Sequence, residues 1–265
     1  DHETRSGESA VDAQFVADLA GQLGVPCTIA RRSEIEAAMT KLPKNRSARF
    51  RAARMELFRR TVRAHHLAGV VLAHHADDQA ETILQRLLRG AGPTALAGMS
   101  ARANVADLTI LRPLLAVDAV DLRRFLDDLS QPWREDSSNI SPNYLRNRLR
   151  PILAADAALK ESLLRLGAAC STWRDWLTLH APKLDERFGV DELASLPGPL
   201  ARYSAGRWLV ERGSPGEEIS RSVCERLLEM ARDAASPVRQ YFPGGVRVCR
   251  RRGSLFAESD RGNPE

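Results

Sequence analysis

The sequence predicts an α/β domain built on a parallel sheet, followed by a mostly helical domain that closes in a hairpin of short strands. Three observations carry this. Gly69-Val70-Val71-Leu72-Ala73-His74 is a continuous apolar run ending in polar residues, the pattern of a strand buried on both faces of a parallel sheet. Strand-like and helical stretches alternate around it, as βα units do. After Pro151 the texture changes to helices broken near 197–199 and 213–216, and then to short extended runs at 238–242, 246–250 and 254–258. The expected domains are therefore 1–151 and 152–265.

Each element has a local reason. Phe15, Val16, Leu19 and Leu23 recur at helical spacing, and Gly24 with Pro26 ends that helix. Residues 25–30 read as a short buried strand. A second helix is expected over 47–66, capped by Ser47, with Phe50, Leu57 and Phe58 as its core stripe. A helix over 78–89 ends at Gly90, residues 109–115 are extended, and a helix over 118–129 starts on Asp118 as cap. Trp173 and Trp176, three apart on a helix, read as core.

Composition narrows the class. The chain has 265 residues, a formal net charge of +5 and a pI near 9.3. The basic side is nearly all arginine, since the lysines are only Lys41, Lys44, Lys160 and Lys183. Arginine pairs bidentately with phosphate and stacks on bases, which suits RNA or nucleotide contact; a biased base composition explains the same excess equally well. No apolar run approaches the ~20 residues needed to span a bilayer, and the polar start carries no signal-peptide core, so a cytoplasmic protein off the membrane is expected. Cys27, Cys170, Cys224 and Cys249 form no Cys-x-x-Cys pair and fit no zinc spacing.

The chemistry-bearing stretch is His74-His75-Ala76-Asp77-Asp78-Gln79-Ala80-Glu81-Thr82, where the apolar strand gives way to a helix. Ligands of open α/β sheets bind outside the carboxyl ends of strands, and a helix N-terminus there adds partial positive charge. Glu81 lies on the helical side of both Asp77 and Asp78. Three converging carboxylates call for a cation, either a metal or an ammonium-bearing substrate. A capped surface helix with acids in its first turn is the plainer alternative. Arg49, Arg51 and Arg54 follow in weight, with Arg51 and Arg54 on one face. Arg146, Arg148 and Arg150, beside Asn147 and Tyr144, suit either a phosphate clamp or a solvated linker.

Taken in order, these pieces resemble a family. His75-x-Asp77-Asp78-Gln79-x-Glu81-Thr82, Leu87-x-Arg89-Gly90-x-Gly92, Leu96-x-Gly98-Met99, Leu111-Arg112-Pro113-Leu114-Leu115, Asp136-x-Ser138-Asn139 and Arg146-Asn147-x-x-Arg150 resemble the landmarks of the tRNA(Ile)-lysidine synthetases. Asn45 and Arg51-x-x-Arg54 resemble that family's arginine helix. The agreement runs from about residue 1 to 151 and is thinner beyond. The resemblance implies a PP-loop ATP pyrophosphatase fold and an ATP-dependent ligase. Such an enzyme adenylates C2 of the wobble cytidine of tRNA(Ile) with anticodon CAU, and free lysine then displaces AMP to give lysidine.

Carried onto this chain, the resemblance implies catalytic roles for Asp77, Asp78, Glu81 and His75. Asp77 and Glu81 would hold lysine, and Asp78 would help hold Mg²⁺. ATP would meet Arg112, Arg54 and His2. The tRNA would meet Arg51, Arg146, Asn147, Arg150, Arg247 and Arg250, with Arg251 and Arg252 nearby. His75 either orients a neighbour or transfers a proton. A homodimer is compatible with the resemblance.

Two departures are visible. The family's Ser-Gly-Gly-x-Asp-Ser loop has no counterpart here, and Asp1-His2-Glu3-Thr4-Arg5 resembles the Asn-His-Gly-Leu-Arg that follows the family's second strand. The family pattern is thus expected to be entered after its phosphate loop. Met55 stands where an aromatic usually follows the arginine pair. Two other readings remain: a tRNA-base thiolase, disfavoured by the lack of Cys-x-x-Cys, and a non-catalytic tRNA-binding remnant.

Overall fold

The computed structural model describes residues 1–4, 7–105, 107–135 and 145–258. The motif 136–139 and Tyr144 lie outside them. The chain divides into two compact units, residues 1–89 with 98–165, and residues 90–97 with 166–265.

The first unit begins with α1 (Glu8–Gln22), α2 (Arg32–Ala37) and α3 (Arg46–Ala64). Gly24, at φ +66, allows the left-handed turn that closes α1. Residues 25–30 form no strand; they run irregularly, tied by the Asp1 amino group donating to the Ala30 carbonyl at 2.9 Å. A Pro26 without N–H and no partner strand among the described residues explain the difference. The cap of α3 is Asn45, whose side chain accepts from the Ala48 N–H at 3.1 Å, so the helix starts ahead of the Ser47 expected.

Strand β1 (Val70–Val71) pairs in parallel with β3 (Leu108–Leu111), and β2 (Arg102–Val105) pairs antiparallel with β3 in a sheet of order β1-β3-β2. Leu72 extends the β1 pairing by donating to Leu111 O at 2.8 Å. The burial of the apolar run on both faces is not met, since Val71 is 65% exposed. From β1 the chain enters α4 (Ala76–Leu88), which Gly90 ends at φ +69. From β3 it passes to α6 (Ala119–Asp128), then to α7 (Leu145–Ala155) and residues 157–165 of α8 (Ala157–His180). Ala80 and Ile83 of α4 pack with Leu153 of α7 and Leu163 of α8 in a small apolar core.

The second unit holds α5 (Pro93–Leu96), the rest of α8, β4 (Arg187–Gly189), α9 (Val190–Ala194), α10 (Gly198–Glu211), α11 (Arg221–Arg232) and strands β5 (Arg239–Phe242), β6 (Val246–Arg251) and β7 (Ser254–Glu258). The sheet is antiparallel in the order β4-β7-β6-β5. Arg252 and Gly253, both at positive φ, make the tight turn between β6 and β7. Its core gathers Phe188, Leu193, Trp208, Leu209, Leu227, Leu228, Met230, Val248 and Leu255 at 1% exposure or less. Phe188 meets Trp208 edge to face at 5.2 Å, and the indole N–H donates to Asp185 O at 2.7 Å. Trp173 and Trp176 are not core. Their rings stack 5.1 Å apart on α8 and stand 37% and 41% exposed, with His180 stacked next at 4.5 Å. Among the described residues no helix is long and apolar enough to cross a membrane.

Candidate functional site

The first unit carries the site, because β1 delivers His74 and His75 to the N-terminus of α4. His75 N–H is held by Asp78 Oδ2 at 3.1 Å, so the first turn of α4 folds back on its own cap. That places Asp77, Asp78 and Glu81 at one end of the helix. Asp78 is 8% exposed and Glu81 only 3%, so both carboxylates must be answered.

The answer comes from the chain itself. Arg146 donates through Nε to Glu81 and through Nη2 to Asp78. Arg150 donates through Nε to Glu81 Oε1 at 2.7 Å. Lys160, on the first turn of α8, sets its ammonium 2.8 Å from Asp77 Oδ1 and 2.7 Å from Asp118 Oδ1. Asp77 Oδ2 accepts the Ala119 N–H at 2.9 Å. Burial pushes the Asp77 carboxyl up, but Lys160, the Ala119 N–H and His75 together outweigh it and hold the group below the ordinary aspartate value. Burial pulls Lys160 down, and the two carboxylates outweigh it and raise the ammonium. Asp118 occupies the N-cap position of α6 without capping it; its carboxylate serves Lys160 instead.

His75 stands between acids, with Nδ1 3.4 Å from Asp77 Oδ2 and Nε2 3.5 Å from Asp78 Oδ2. Its Nδ1 is buried without a hydrogen bond among the described residues.

Beside the acids lies an arginine row without acids. Arg112 is 8% exposed and holds Ser100 O at 2.8 Å through Nη1, while its Nε donates to His74 Nδ1 at 3.2 Å. His74 must therefore present a lone pair. Burial first, and then Arg112, Arg146 and Arg54 against the opposing pull of Asp78, keep its pKa below the usual histidine value. Arg54 and Arg112 also fall below the ordinary arginine value, through burial first. Arg51 and Arg146 add repulsion at Arg54, and Arg51 adds it at Arg112. Among the described residues no carboxylate pairs with Arg51 or Arg54, so the row suits an anion. His2 stacks on Phe50 at 4.9 Å, and burial first, then Arg54, holds its imidazole low. A cavity of about 140 Å³ opens among Asp1, His2, Ala30, Ile35, Ala53 and Arg54. Ligand pockets start near ~300 Å³, so this cavity alone is smaller than a whole nucleotide needs.

Sequence reasoning brought His75, Asp77, Asp78 and Glu81 together, and the structure does too. Arg146 and Arg150, expected on tRNA, both pair with the buried Glu81 carboxylate here. Asn147 sits on α7 one residue beyond Arg146. Among the described residues no three His, Cys, Asp or Glu gather as metal ligands, and Asp78 accepts the His75 N–H at one oxygen and Arg146 at the other. Arg247 pairs with Glu258 at 2.5 Å on the neighbouring strand. Arg250 donates to the carbonyls of Met230, Asp233, Ala234 and Ser236 and so closes the end of α11. Sequence reasoning missed Lys160, took Asp118 only as a cap, and gave Gln79 no role. Gln79 grips Met99 at both backbone groups, donating to its carbonyl at 3.0 Å and accepting its N–H at 2.8 Å.

The first unit is thus an α/β unit in which a strand end, a charge-balanced helix N-terminus and arginines without a carboxylate partner among the described residues come together, an arrangement suited to an anion. Residues 1–156 match the family model described as the PP-loop domain, and the chain belongs to that family. It is also similar to curated relatives named tRNA(Ile)-lysidine synthase. The one from Solibacter usitatus is 37% identical over 87% of this chain and 49% of its own length. One from Thermus thermophilus is 33% identical over 97% of this chain and 50% of its own. The one from Rhodopirellula baltica is 38% identical over 56% and 38%. The chain thus spans about half, or less, of the length of these relatives. Its likeness to the solved U34-tRNA thiolase NcsA from Methanococcus maripaludis is weak, with a TM-score of 0.46 and 13% identity over 66% of this chain and 58% of that one.

Proposed function

We propose that this chain works as a tRNA(Ile)-lysidine synthase, with its first unit as the ATP-using part and its second as a tRNA-contacting part. The observation that carries the reading is the 33% identity to the Thermus thermophilus relative along 97% of the chain. In the proposed reaction the C2 oxygen of the wobble cytidine attacks the α-phosphorus of ATP and pyrophosphate leaves. The lysine amine then attacks C2, and AMP leaves with that oxygen. ATP supplies the leaving group that makes the ring carbon electrophilic.

The residues fit this division of labour. Arg51, Arg54 and Arg112 offer positive charge without a competing carboxylate among the described residues, where phosphate charge must be balanced. His75 can take the proton that the attacking amine sheds, because Asp77 and Asp78 flank its ring. The acids suit lysine only by exchange. Every oxygen of Asp77 and Glu81 already has a partner, so an incoming ammonium must share the carboxylate with a resident cation or displace it.

The test is incorporation of labelled lysine into a tRNA(Ile) transcript with a CAU anticodon, by the full-length protein, with and without ATP. Label retained on the tRNA only with ATP supports the reading. Binding of tRNA that is indifferent to ATP, with no label, replaces it by a tRNA-binding remnant. Glu81→Gln is expected to lower lysine incorporation by about 100-fold; unchanged incorporation would remove Glu81 from the site.

A further inference from the structure

Lys160 lies outside every motif that marks the site, 83 residues from Asp77, yet it makes two of the closest contacts there. Its ammonium bridges carboxylates from two different helix starts, Asp77 on α4 and Asp118 before α6. Asp77 in turn accepts from Ala119, so three elements meet at one point: α4, α6 and the first turn of α8. The lysine side chain is 17% exposed, against 39% for Arg146 and 33% for Arg150. Of the three resident cations it is the most enclosed and the only one that joins two helix N-termini among the described residues. It is therefore the cation least suited to leave when a substrate ammonium arrives.

We propose that Lys160 is a positioning residue: its ammonium fixes Asp77 and Asp118 so that the acid face of α4 stays set, and the exchange with substrate lysine takes place at the α7 arginines. This rests on the synthase reading for its substrate. The geometry supplies the rest. A bridge at 2.7 and 2.8 Å with a third hold from a backbone N–H leaves Asp77 little rotational freedom. Glu81 is gripped by arginines that are about twice as exposed, and Arg146 already lies close enough to Arg54 to repel it. Arg146 thus holds the acids while its charge is felt at Arg54, so a phosphate bound at that arginine would offer it an alternative anionic partner.

The experiment is steady-state lysine incorporation by Lys160→Met and Lys160→Arg in the full chain, varying lysine and ATP separately. Lys160→Met is expected to lower kcat/KM for lysine by about 10- to 100-fold with KM for ATP unchanged. Lys160→Arg should recover part of the loss, and added n-propylammonium should recover part of the loss seen in Lys160→Ala, where the truncated side chain leaves room for it. A lower KM for lysine in Lys160→Met would overturn the proposal, because Lys160 would then compete with substrate. If Lys160→Met does not fold, Asp118→Asn removes one arm of the bridge and leaves Lys160 on Asp77. A loss in the same direction supports positioning, and wild-type kinetics overturn it. A wild-type protein that incorporates no lysine refutes the synthase reading instead. In that case a rise in thermal midpoint of Lys160→Ala on adding n-propylammonium still reports the ammonium seat, and no rise overturns it.

Discussion

The two units are stabilised in different ways. The second wraps a continuous apolar core around Trp208 and Phe188, with strands β4 to β7 against α9 to α11. The first has a small apolar patch, Ala80, Ile83, Leu153 and Leu163, and spends its interior on charges, with Glu81, Asp78 and Arg112 all buried. Apolar burial is non-directional and yields stability in proportion to area. Buried ion pairs often repay only their own desolvation, while demanding one geometry. The difference teaches that the site-bearing unit is organised for where charges stand, and the other for how firmly it folds.

The contrast breaks most readily at the second unit. Trp208→Ala is expected to cost about 3–5 kcal/mol through the cavity it leaves, read as lost amide-exchange protection in α10, α11 and β6. Protection of α4 should persist, and its equal loss would show that the units do not differ. In the first unit, Arg146→Met leaves Asp78 and Glu81 short of a partner and should destabilise by about 3 kcal/mol. The sharper form is Glu81→Leu with Arg150→Met, which removes the buried charge together with one partner and keeps Arg146 on Asp78. Urea unfolding of that pair should come within about 1 kcal/mol of the wild type while lysine incorporation falls away.

Smaller effects sharpen the edges. Asn45→Ala should cost about 1 kcal/mol, since it deprives Ala48 N–H of its cap, and Ser47→Ala close to nothing. Acidification separates the units further. His74 and His2 have pKa values lowered from 6.5, so between 6.5 and their folded values the unfolded chain binds protons that the folded one does not. Stability of the first unit should therefore fall as pH drops through that window and level off below it. His74→Asn should flatten the slope of a thermal-midpoint titration; an unchanged slope would free His74 of this role.

Much of this was legible in the sequence, for identifiable reasons. The apolar run before His74 and the acids after it mark a strand end and a helix start, and both stand where expected. Strands β5 to β7 were readable because glycines and prolines punctuate them. β2 was missed because Arg102-Ala103-Asn104-Val105 is a partly polar edge strand whose only sign is weak alternation. Residues 25–30 misled because a short apolar run looks like a strand whether or not a partner exists. Asp118 reads as a cap from its place before a helix, and only the fold reveals that Lys160 claims its carboxylate. A hint was present: with just four lysines in an arginine-rich chain, one that falls at an apolar helix start is worth asking about.

The grip of Gln79 on Met99 has a bearing on how the protein can be dissected. The chain leaves the first unit at Arg89, contributes residues 90–97 to the second, and returns at Gly98. Gly98, at φ +70, has no room for a Cβ, which would stand 2.6 Å from the Gln79 amide, and its carbonyl takes Arg86 at 2.9 Å. The point of return is thus stapled to α4. A gene fragment cut after residue 165 would keep that staple and leave Leu96 and Ala97 without Cys170, their apolar neighbour in the second unit. Splicing Arg89 directly to Gly98 would be no remedy, since Gly98 is docked against the middle of α4 while Arg89 lies just beyond its end. A clean separation of the halves needs a short polar bridge in place of 90–97, and closing a loop of that length again costs little more than the original.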